Sequence, residues 1–582
     1  MAIEKLITNH LELWTAAVRP KSSAGRGSNS KLELTGIKKL RELILELAVR
    51  GKLVPQDSND EPASVLLKRI AAEKALLIKS KTIKKTKILP DVTEDELYFE
   101  LPDGWMWARL NDLGDWGAGA TPTRGNPAFY GGDIPWFKSG ELNSNYIFES
   151  EETVTELALN KSSLRYNSIG DVLVAMYGAT IGKTSILGVK ATTNQAVCAC
   201  TPFSGFLNTY LLCLLKAYRP RLVDMGAGGA QPNISREKII ATVIALPPTS
   251  EQQRIVQKIE ELMALCDQLE QQSEAQLAAH QTLVEALLAT LTDSADADEL
   301  AQNWARLAQH FDTLFTTESS IDTLQQTILQ LAVMGKLVPQ DPSDEPASAL
   351  LARITAEKTR LVKEGKIKKT KPLPEISNQE KLFALPKGWK WCRIDNVSMF
   401  ITSGSRDWAK YYSDFGAKFI TMGNLSRGSY SLRMDNIRYV NPPLDGEGSR
   451  TKLEEDDLLV SITGDVGNLG LIPSGFGEAY INQHTCLVRF VPMLRNRYFP
   501  EFLRSPFAKY QFDAPQRGIK NSFRLGDVGE LVISLPPENE QHRIVAKIDE
   551  LMSLCDQLKT RLQTSQQTQL VLAEALVKGA LD

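Results

Sequence analysis

The sequence predicts an α+β chain in which two β-rich α/β domains are set into two copies of one helical frame, an internal duplication of pseudo-twofold character. Three observations predict it: a long internal repeat, apolar residues stepping by three and four in the repeated parts, and short apolar runs between glycine turns in the parts that do not repeat. The chain has 582 residues, 43% apolar and 24% charged, which suits several packed cores and excludes wholesale disorder and collagen-like composition. With 67 basic against 70 acidic residues the formal charge is -3, so any nucleic-acid or anionic-membrane partner has to be met locally.

The repeat defines the frame. G-K-L-V-P-Q-D at Gly51 to Asp57 recurs at Gly335 to Asp341, an offset of 284 that also carries E-P-A-S from Glu61 to Glu345, I-K-K-T-K from Ile83 to Ile367, and L-P-x-G-W-x-W from Leu101 to Leu385. A second block, L-P-P-x-x-E-Q-x-R-I-V running on to L-C-D-Q-L, starts at Leu246 and again at Leu535, an offset of 289. Between the blocks little aligns, so two near-identical frames hold two divergent inserts. This divides the chain into a helical leader over 1–100, a first insert over 101–248, a central helical region over 249–384, a second insert over 385–537 and a C-terminal helix over 538–582.

In the leader and the central region, Thr35 to Val49 and Ile321 to Val333 carry amphipathic patterns, followed by helices entered at Pro62 and Pro346, with proline at the first turn. After each Pro-Pro, apolar residues take the coiled-coil alternation: Ile255, Ile259, Leu262, Cys266 and Leu269 in one helix, Ile544, Ile548, Leu551, Cys555 and Leu558 in the other. Each is a seam for another helix, with Ser250 or Asn539 placed to cap it. A run of about 40 residues at ~1.5 Å each makes a rod of roughly 60 Å, long enough to act as a ruler between two modules. The alternative is a helical hairpin that only covers its neighbouring domain. Lys21 to Lys31 and Asp293 to Asp298 read as linkers, and the basic runs Lys79 to Lys87 and Lys363 to Lys371 as solvated faces or phosphate contacts.

Each insert is about 145 residues, a normal domain size. Predicted strands run over Asp171 to Met176, Thr184 to Val189 and Gln195 to Cys200 in the first, and Asp457 to Thr463, Leu469 to Pro473 and His484 to Val491 in the second. Trp107 and Trp391 open the first strand of each, as packing anchors. Over Trp105 to Ala245 there are 12 basic and 11 acidic residues, and over Trp389 to Ser534 18 and 16, so neither insert is an electrostatic footprint by itself. Polar and aromatic loop residues suited to base-edge hydrogen bonds are nevertheless present. In the first insert they are Tyr177, Lys183, Asn194, Gln195, Gln231, Asn233 and Arg236; in the second, Arg406, Trp408, Tyr411, Tyr412, Asn424, Asn482, Gln483, His484, Lys520, Asn521 and Arg524.

Motifs for chemistry fail on inspection. G-A-T-I-G-K-T at Gly178 is one residue short of a phosphate-binding loop and runs into a strand, and N-P-P-L at Asn441 ends in Leu where a methyltransferase tetrapeptide needs an aromatic. None of the five histidines pairs at metal-ligand spacing, Cys198 and Cys200 sit in an apolar strand run, and no catalytic residue or metal site is assigned. No apolar stretch is long enough for a membrane span and the N-terminus lacks a signal-peptide core, so the chain reads as cytoplasmic.

On the two L-P-P-x-x-E-Q-x-R-I-V openings, the doubled G-K-L-V-P-Q-D and the two unlike inserts entered by L-P-x-G-W, the chain resembles the specificity subunit of Type I restriction-modification enzymes over essentially its whole length. The resemblance implies that the inserts are target recognition domains, each reading one half of a split duplex DNA sequence. It further implies that the long helices form an antiparallel coiled coil that sets the spacing and docks two methyltransferase subunits, joined by restriction subunits. S-adenosylmethionine, ATP and Mg would then be bound by those partners, with no cofactor and no catalysis in this chain. The leader of about 100 residues departs from a minimal member; it is expected to pack beside the C-terminal helix and help engage a methyltransferase subunit. The rival reading, which the near-neutral inserts favour, is a coiled-coil scaffold whose inserts bind protein or glycan partners.

Overall fold

The computed structural model describes residues 3–20, 32–86, 88–226, 232–369, 372–443, 448–513 and 522–581. The predicted linker over 21–31 and parts of the basic runs (Lys87, Thr370, Lys371) lie outside the described residues, as does Leu444 of N-P-P-L. The chain forms two compact units, one of residues 1–276 with 565–582, the other of residues 277–564. The division falls inside the two long helices, Thr249–Asp293 and Glu538–Leu581, so each unit holds the first part of one and the last part of the other. Both helices start before Ser250 and Asn539, which therefore lie inside the first turn and are not caps. Their opening turns close instead through Gln252 N to Pro248 O and Gln541 N to Pro537 O.

The frame helices are Thr35–Val49 and Ala63–Lys79 in the first unit, Glu318–Val333 and Ala347–Lys363 in the second. Of the seam residues, Ile255, Ile259, Leu262, Cys266 and Leu269 are buried, as are Ile544, Ile548 and Cys555, while Leu551 and Leu558 are half-buried. In the second unit the seam joins Ile321, Leu324 and Ile328 of the frame helix and Val284, Leu288 and Leu291 of the first long helix in one core. In the first unit, Arg41 of the frame helix reaches Asp267 and Glu270 at 2.6 Å and Lys258 reaches Glu4 at 2.6 Å. In the second unit the apolar stripe of the C-terminal long helix is thus covered by the frame helix Glu318–Val333 together with the last part of the first long helix. The leader also meets the C-terminal helix, where Lys52 Nζ donates to Leu581 O at 2.7 Å; in the second unit Lys336 Nζ donates to Thr292 O and Ser294 O at the end of the first long helix. An ammonium at the carbonyl end of a helix satisfies orphan acceptors and complements the helix dipole.

The first β-rich domain contains a five-stranded sheet around Val172–Ala175, Thr184–Leu187 and Val197–Pro202 and a three-stranded sheet around Tyr130–Phe137. The second contains two four-stranded sheets, one built on Leu458–Ser461, Leu469–Leu471 and Thr485–Phe490, the other on Ala417–Ile420. The strands expected from alternation therefore form, most trimmed by a residue or two at their ends, and the one expected at Gln195 to Cys200 shifted to Val197–Pro202. Cys198 and Cys200 are fully buried strand residues, and burial pushes the Cys198 thiol up to about 12. The tryptophan strands Met106–Arg109 and Lys390–Arg393 do not join these sheets; they pair with Val243–Leu246 and Val532–Leu535 as separate ribbons that tie entry and exit of each domain together.

Each domain is latched to its frame by the same set of contacts. Trp105 Nε1 donates to Glu251 Oε2 at 3.0 Å and Gln56 Nε2 to Glu251 Oε1 at 3.1 Å; Trp389 and Gln340 meet Glu540 at 3.0 and 3.2 Å. Gly51 and Gly335 turn with φ of +69° and +70°, and a Cβ there would fall 2.4 Å from Pro102 Cγ and 2.5 Å from Pro386 Cγ, which is why the repeated motif begins with glycine. Arg254 pairs with Asp60, and Arg543 with Asp344, both at 2.7 Å.

Arg109 adds a polar latch, bonding Glu96 at 2.9 and 2.8 Å and the Pro90 carbonyl at 2.9 Å; Arg393 does the same with Glu380 and the Pro374 carbonyl. The Arg109 guanidinium holds the Glu96 carboxyl down from an ordinary 4.5 to about 2. Because the folded value lies below the unfolded one, this contribution is complete above about pH 4.5 and is lost as pH falls towards 2. A carboxyl NMR titration should place Glu96 near 2, rising towards the ordinary range in Arg109→Met with the hydrogen bonds from Thr93 still holding part of the shift; a wild-type midpoint near 4.5 would contradict the latch.

Candidate nucleic-acid interface

At one end of each β-rich domain three loops converge on the end of the central strand. In the first domain, Met176 N donates to Ala196 O at 2.8 Å and Ile234 N to Met176 O at 2.9 Å, and Tyr177 forms a bridge with Asn233. In the second, Ile462 N donates to His484 O at 3.0 Å and Phe523 N to Ile462 O at 2.8 Å, and Thr463 bridges Ser522. The turn between the first two loops is also shared: Asn194 Oδ1 accepts from Ala196 N at 3.1 Å, and Asn482 Oδ1 from His484 N at 3.2 Å. Two inserts with little sequence in common therefore build one loop crown, because backbone hydrogen bonds and an Asn turn, not particular surface side chains, hold it.

The structure brings most of the first insert's candidates to this crown. Tyr177 is 43% exposed, Gln195 and Asn233 are exposed, and Thr121 Oγ1 donates to Gln195 Oε1. Lys183 lies on the adjoining hairpin with Nζ 2.6 Å from Asn143 Oδ1, and Arg236 opens the following helix, paired with Glu237 at 3.1 Å. Asn194 is half-buried and its carbonyl oxygen is committed to the turn. Gln231 lies outside the described residues, as do Lys520 and Asn521. The G-A-T-I-G-K-T segment is the hairpin tip of this crown, a short 3-10 turn at Gly178–Thr180 entering strand Thr184–Leu187.

In the second domain Gln483 and His484 sit on the crown. Gln483 Nε2 lies 2.9 Å from His484 Nε2, and Thr463 Oγ1 2.8 Å from His484 Nδ1. Arg524 is exposed at the start of helix Leu525–Glu530. Arg406 is exposed, and Tyr412 is 47% exposed beneath the Arg438 guanidinium, 5.5 Å from its ring centroid.

Two candidates are corrected. Trp408 is 2% exposed, packed against Phe419 and Tyr480 with ring centroids 4.9 and 5.2 Å away, so it is a core residue; Tyr411 is half-buried against its edge. Asn424 is buried, its Oδ1 accepting from Thr421 N at 2.9 Å and its Nδ2 donating to Arg433 O at 2.9 Å, so its hydrogen-bonding capacity is used internally. What the sequence reading missed is the run Arg433 to Arg438, which lines a polar cavity of about 540 Å³ with Thr421 and Asn482; two arginines and two amide or carboxylate residues in six positions were the available signal.

Among the described residues no group of three or more His, Cys, Asp or Glu side chains is placed to hold a metal ion, and no helix is long and apolar enough to cross a membrane. The crown offers donors, acceptors and aromatic faces at the scale of base edges.

Comparison with known proteins places this architecture. The family model for the Type I restriction modification DNA specificity domain matches twice, over residues 102–279 and 386–565, each match taking in one β-rich domain and the start of the long helix that follows it. The Type I restriction enzyme EcoAI specificity subunit of Escherichia coli is 41% identical, and the EcoEI specificity subunit of the same organism 42% identical, each over 100% of both chains. A third relative, the MjaIX specificity subunit of Methanocaldococcus jannaschii, is 32% identical across 27% of this chain and 37% of its own length. With two matched domains, a doubled frame and full-length relatives, the chain belongs to the family of Type I restriction enzyme DNA specificity subunits.

Proposed function

We propose that this chain reads a bipartite duplex DNA target, one half per β-rich domain, and has no catalytic role of its own. The observation that carries the reading is the crown: one set of backbone hydrogen bonds in both domains presents Tyr177, Gln195 and Asn233 in one and Gln483, His484 and Arg524 in the other. A shared scaffold with unlike side chains is what reading two different half-sites requires. The two long helices run antiparallel as a coiled coil and set the half-site spacing, a reading supported by each unit's holding the first part of one and the last part of the other. The helical parts, the leader included, carry two methyltransferase subunits and with them the restriction subunits. S-adenosylmethionine, ATP and Mg are held by those partners.

The test is to purify the chain with its methyltransferase partner and map the adenines methylated in a randomised DNA library. A split motif is expected, and replacing residues 105–245 with the insert of another family member should change one half only. Methylation without sequence preference, or a swap that alters both halves, would refute the reading.

A further inference from the structure

The cavity beside the second crown presents two arginine forks to a hydrogen-bond acceptor. Arg433 is fixed by its neighbours: its N donates to Asn424 O at 2.8 Å, its carbonyl accepts from Asn424 Nδ2, and its guanidinium reaches Leu425 O. Asn424 thereby acts as a positioning residue. Arg438 stands on strand Arg438–Val440, opposite Phe419, with its guanidinium over the exposed Tyr412 ring. Among the described residues neither arginine forms an ion pair with a carboxylate, and both are exposed. Asp435 and Asn436 lie between them on the same wall, and Asn482 links the cavity to the crown.

The corresponding place in the first domain is chemically opposite. Lys138 N to Glu141 there matches Thr421 N to Asn424 here, and Asn194 N to Phe137 O matches Asn482 N to Ile420 O. Yet Lys138 is held by Glu152 at 2.6 Å and Glu151 at 3.3 Å, and Arg124 by Glu152 at 2.6 Å. Lys138 and Arg124 of the first domain are thus neutralised within the protein, whereas among the described residues Arg433 and Arg438 of the second have no carboxylate partner. An arginine fork matches the O6 and N7 acceptors of guanine, and a carboxylate accepts from the N4 amino group of cytosine.

We propose that Arg433, Arg438 and Asp435 read a G·C base pair in the half-site of the second domain. This rests on the DNA-reading function above and adds which residues and which base pair. The methyltransferase complex is assembled with the wild-type chain and with Arg438→Gln, Arg438→Lys and Arg433→Gln, and methylation is mapped on the randomised library. The glutamine variants should lose about 5- to 150-fold of discrimination at one G·C position of one half, with the other half unchanged. Arg438→Lys, which keeps the charge without the fork, should lose it too. A uniform fall across all sequences that lysine restores would mean phosphate contact, and unchanged discrimination would mean no contact; either overturns the pocket while the split motif of the wild type preserves the function. If the wild type itself shows no split motif, the function falls and the pocket with it.

Discussion

Replacing Trp389 with alanine is expected to remove about 3–5 kcal/mol from the unit that contains it, the cost of deleting a buried indole and leaving a cavity. Its side chain is the wedge between the second domain and the frame: Gly335 and Pro386 lie against it, and Glu540, only 1% exposed, depends on its N–H. Burial pushes the Glu540 carboxyl up, opposed by the hydrogen bonds from Gln340 and Trp389. Trp389→Phe separates the two contributions. It keeps most of the volume but strips one donor from a buried carboxylate, costing about 1–3 kcal/mol. A raised carboxyl binds its proton more tightly folded than unfolded, so its burden on stability grows as pH rises above the ordinary carboxylate range. The deficit of Trp389→Phe should therefore be larger at neutral pH than near pH 4. Hydrogen exchange in Glu318–Val333 gives the stability of this unit directly. Trp105→Ala should have the same effect on Thr35–Val49 through Glu251, since the contacts are duplicated. If protection of neither helix changes, the tryptophans are not the latch.

That duplication explains what was legible in the sequence. The frame announced itself because packing partners repeat together: Gly51 with Trp105 and Glu251, Gly335 with Trp389 and Glu540. The seams were legible as a periodicity, because an apolar stripe must be covered whatever covers it; that the short frame helices supply part of the cover was not, since periodicity names no partner. The strands were legible from alternation, while the crown was half so. Asn194–Gln195 and Asn482–Gln483 both lie in polar turns between apolar runs, yet that they share one backbone geometry depends on hydrogen bonds between residues far apart in the chain, such as Ile234 N to Met176 O. Trp408 misled because its local context, R-D-W-A-K-Y-Y, is polar, whereas its burial is imposed by Phe419 and Tyr480 from two neighbouring strands. Asn424 was misread for the opposite reason: its bond to Thr421 N is local, and a short Asn turn was a readable signal.

The second large effect is expected inside the second domain, at Asp457. Its side chain is fully buried and takes both ends of the Arg489 fork, Nε at 2.7 Å and Nη2 at 2.6 Å, together with Glu454 N at 2.7 Å. Arg489 in turn reaches Glu454 Oε1 at 2.6 Å and Lys452 O at 3.0 Å and lies over the Phe400 ring. Removing one member leaves the other charged, buried and short of partners, so Asp457→Ala and Arg489→Met should each cost about 3–5 kcal/mol. The pair itself contributes far less, because its attraction is set against the desolvation of two ions. The double variant Asp457→Leu with Arg489→Met should therefore recover most of the loss, a coupling that urea unfolding of the wild type, Asp457→Leu, Arg489→Met and the double variant measures as a thermodynamic cycle. Additive losses would show that the ions act separately. The first domain supplies the internal control. Asp171 occupies the same strand-entry position, with its Oδ2 accepting from Ser168 N at 2.9 Å, but the neighbouring Arg165 pairs with Asp115 instead. Asp171→Ala should thus cost only the capping hydrogen bond and its burial, about 1–3 kcal/mol, and the two domains should differ in sensitivity at equivalent positions because one closes its strand entry with a forked ion pair and the other with a turn.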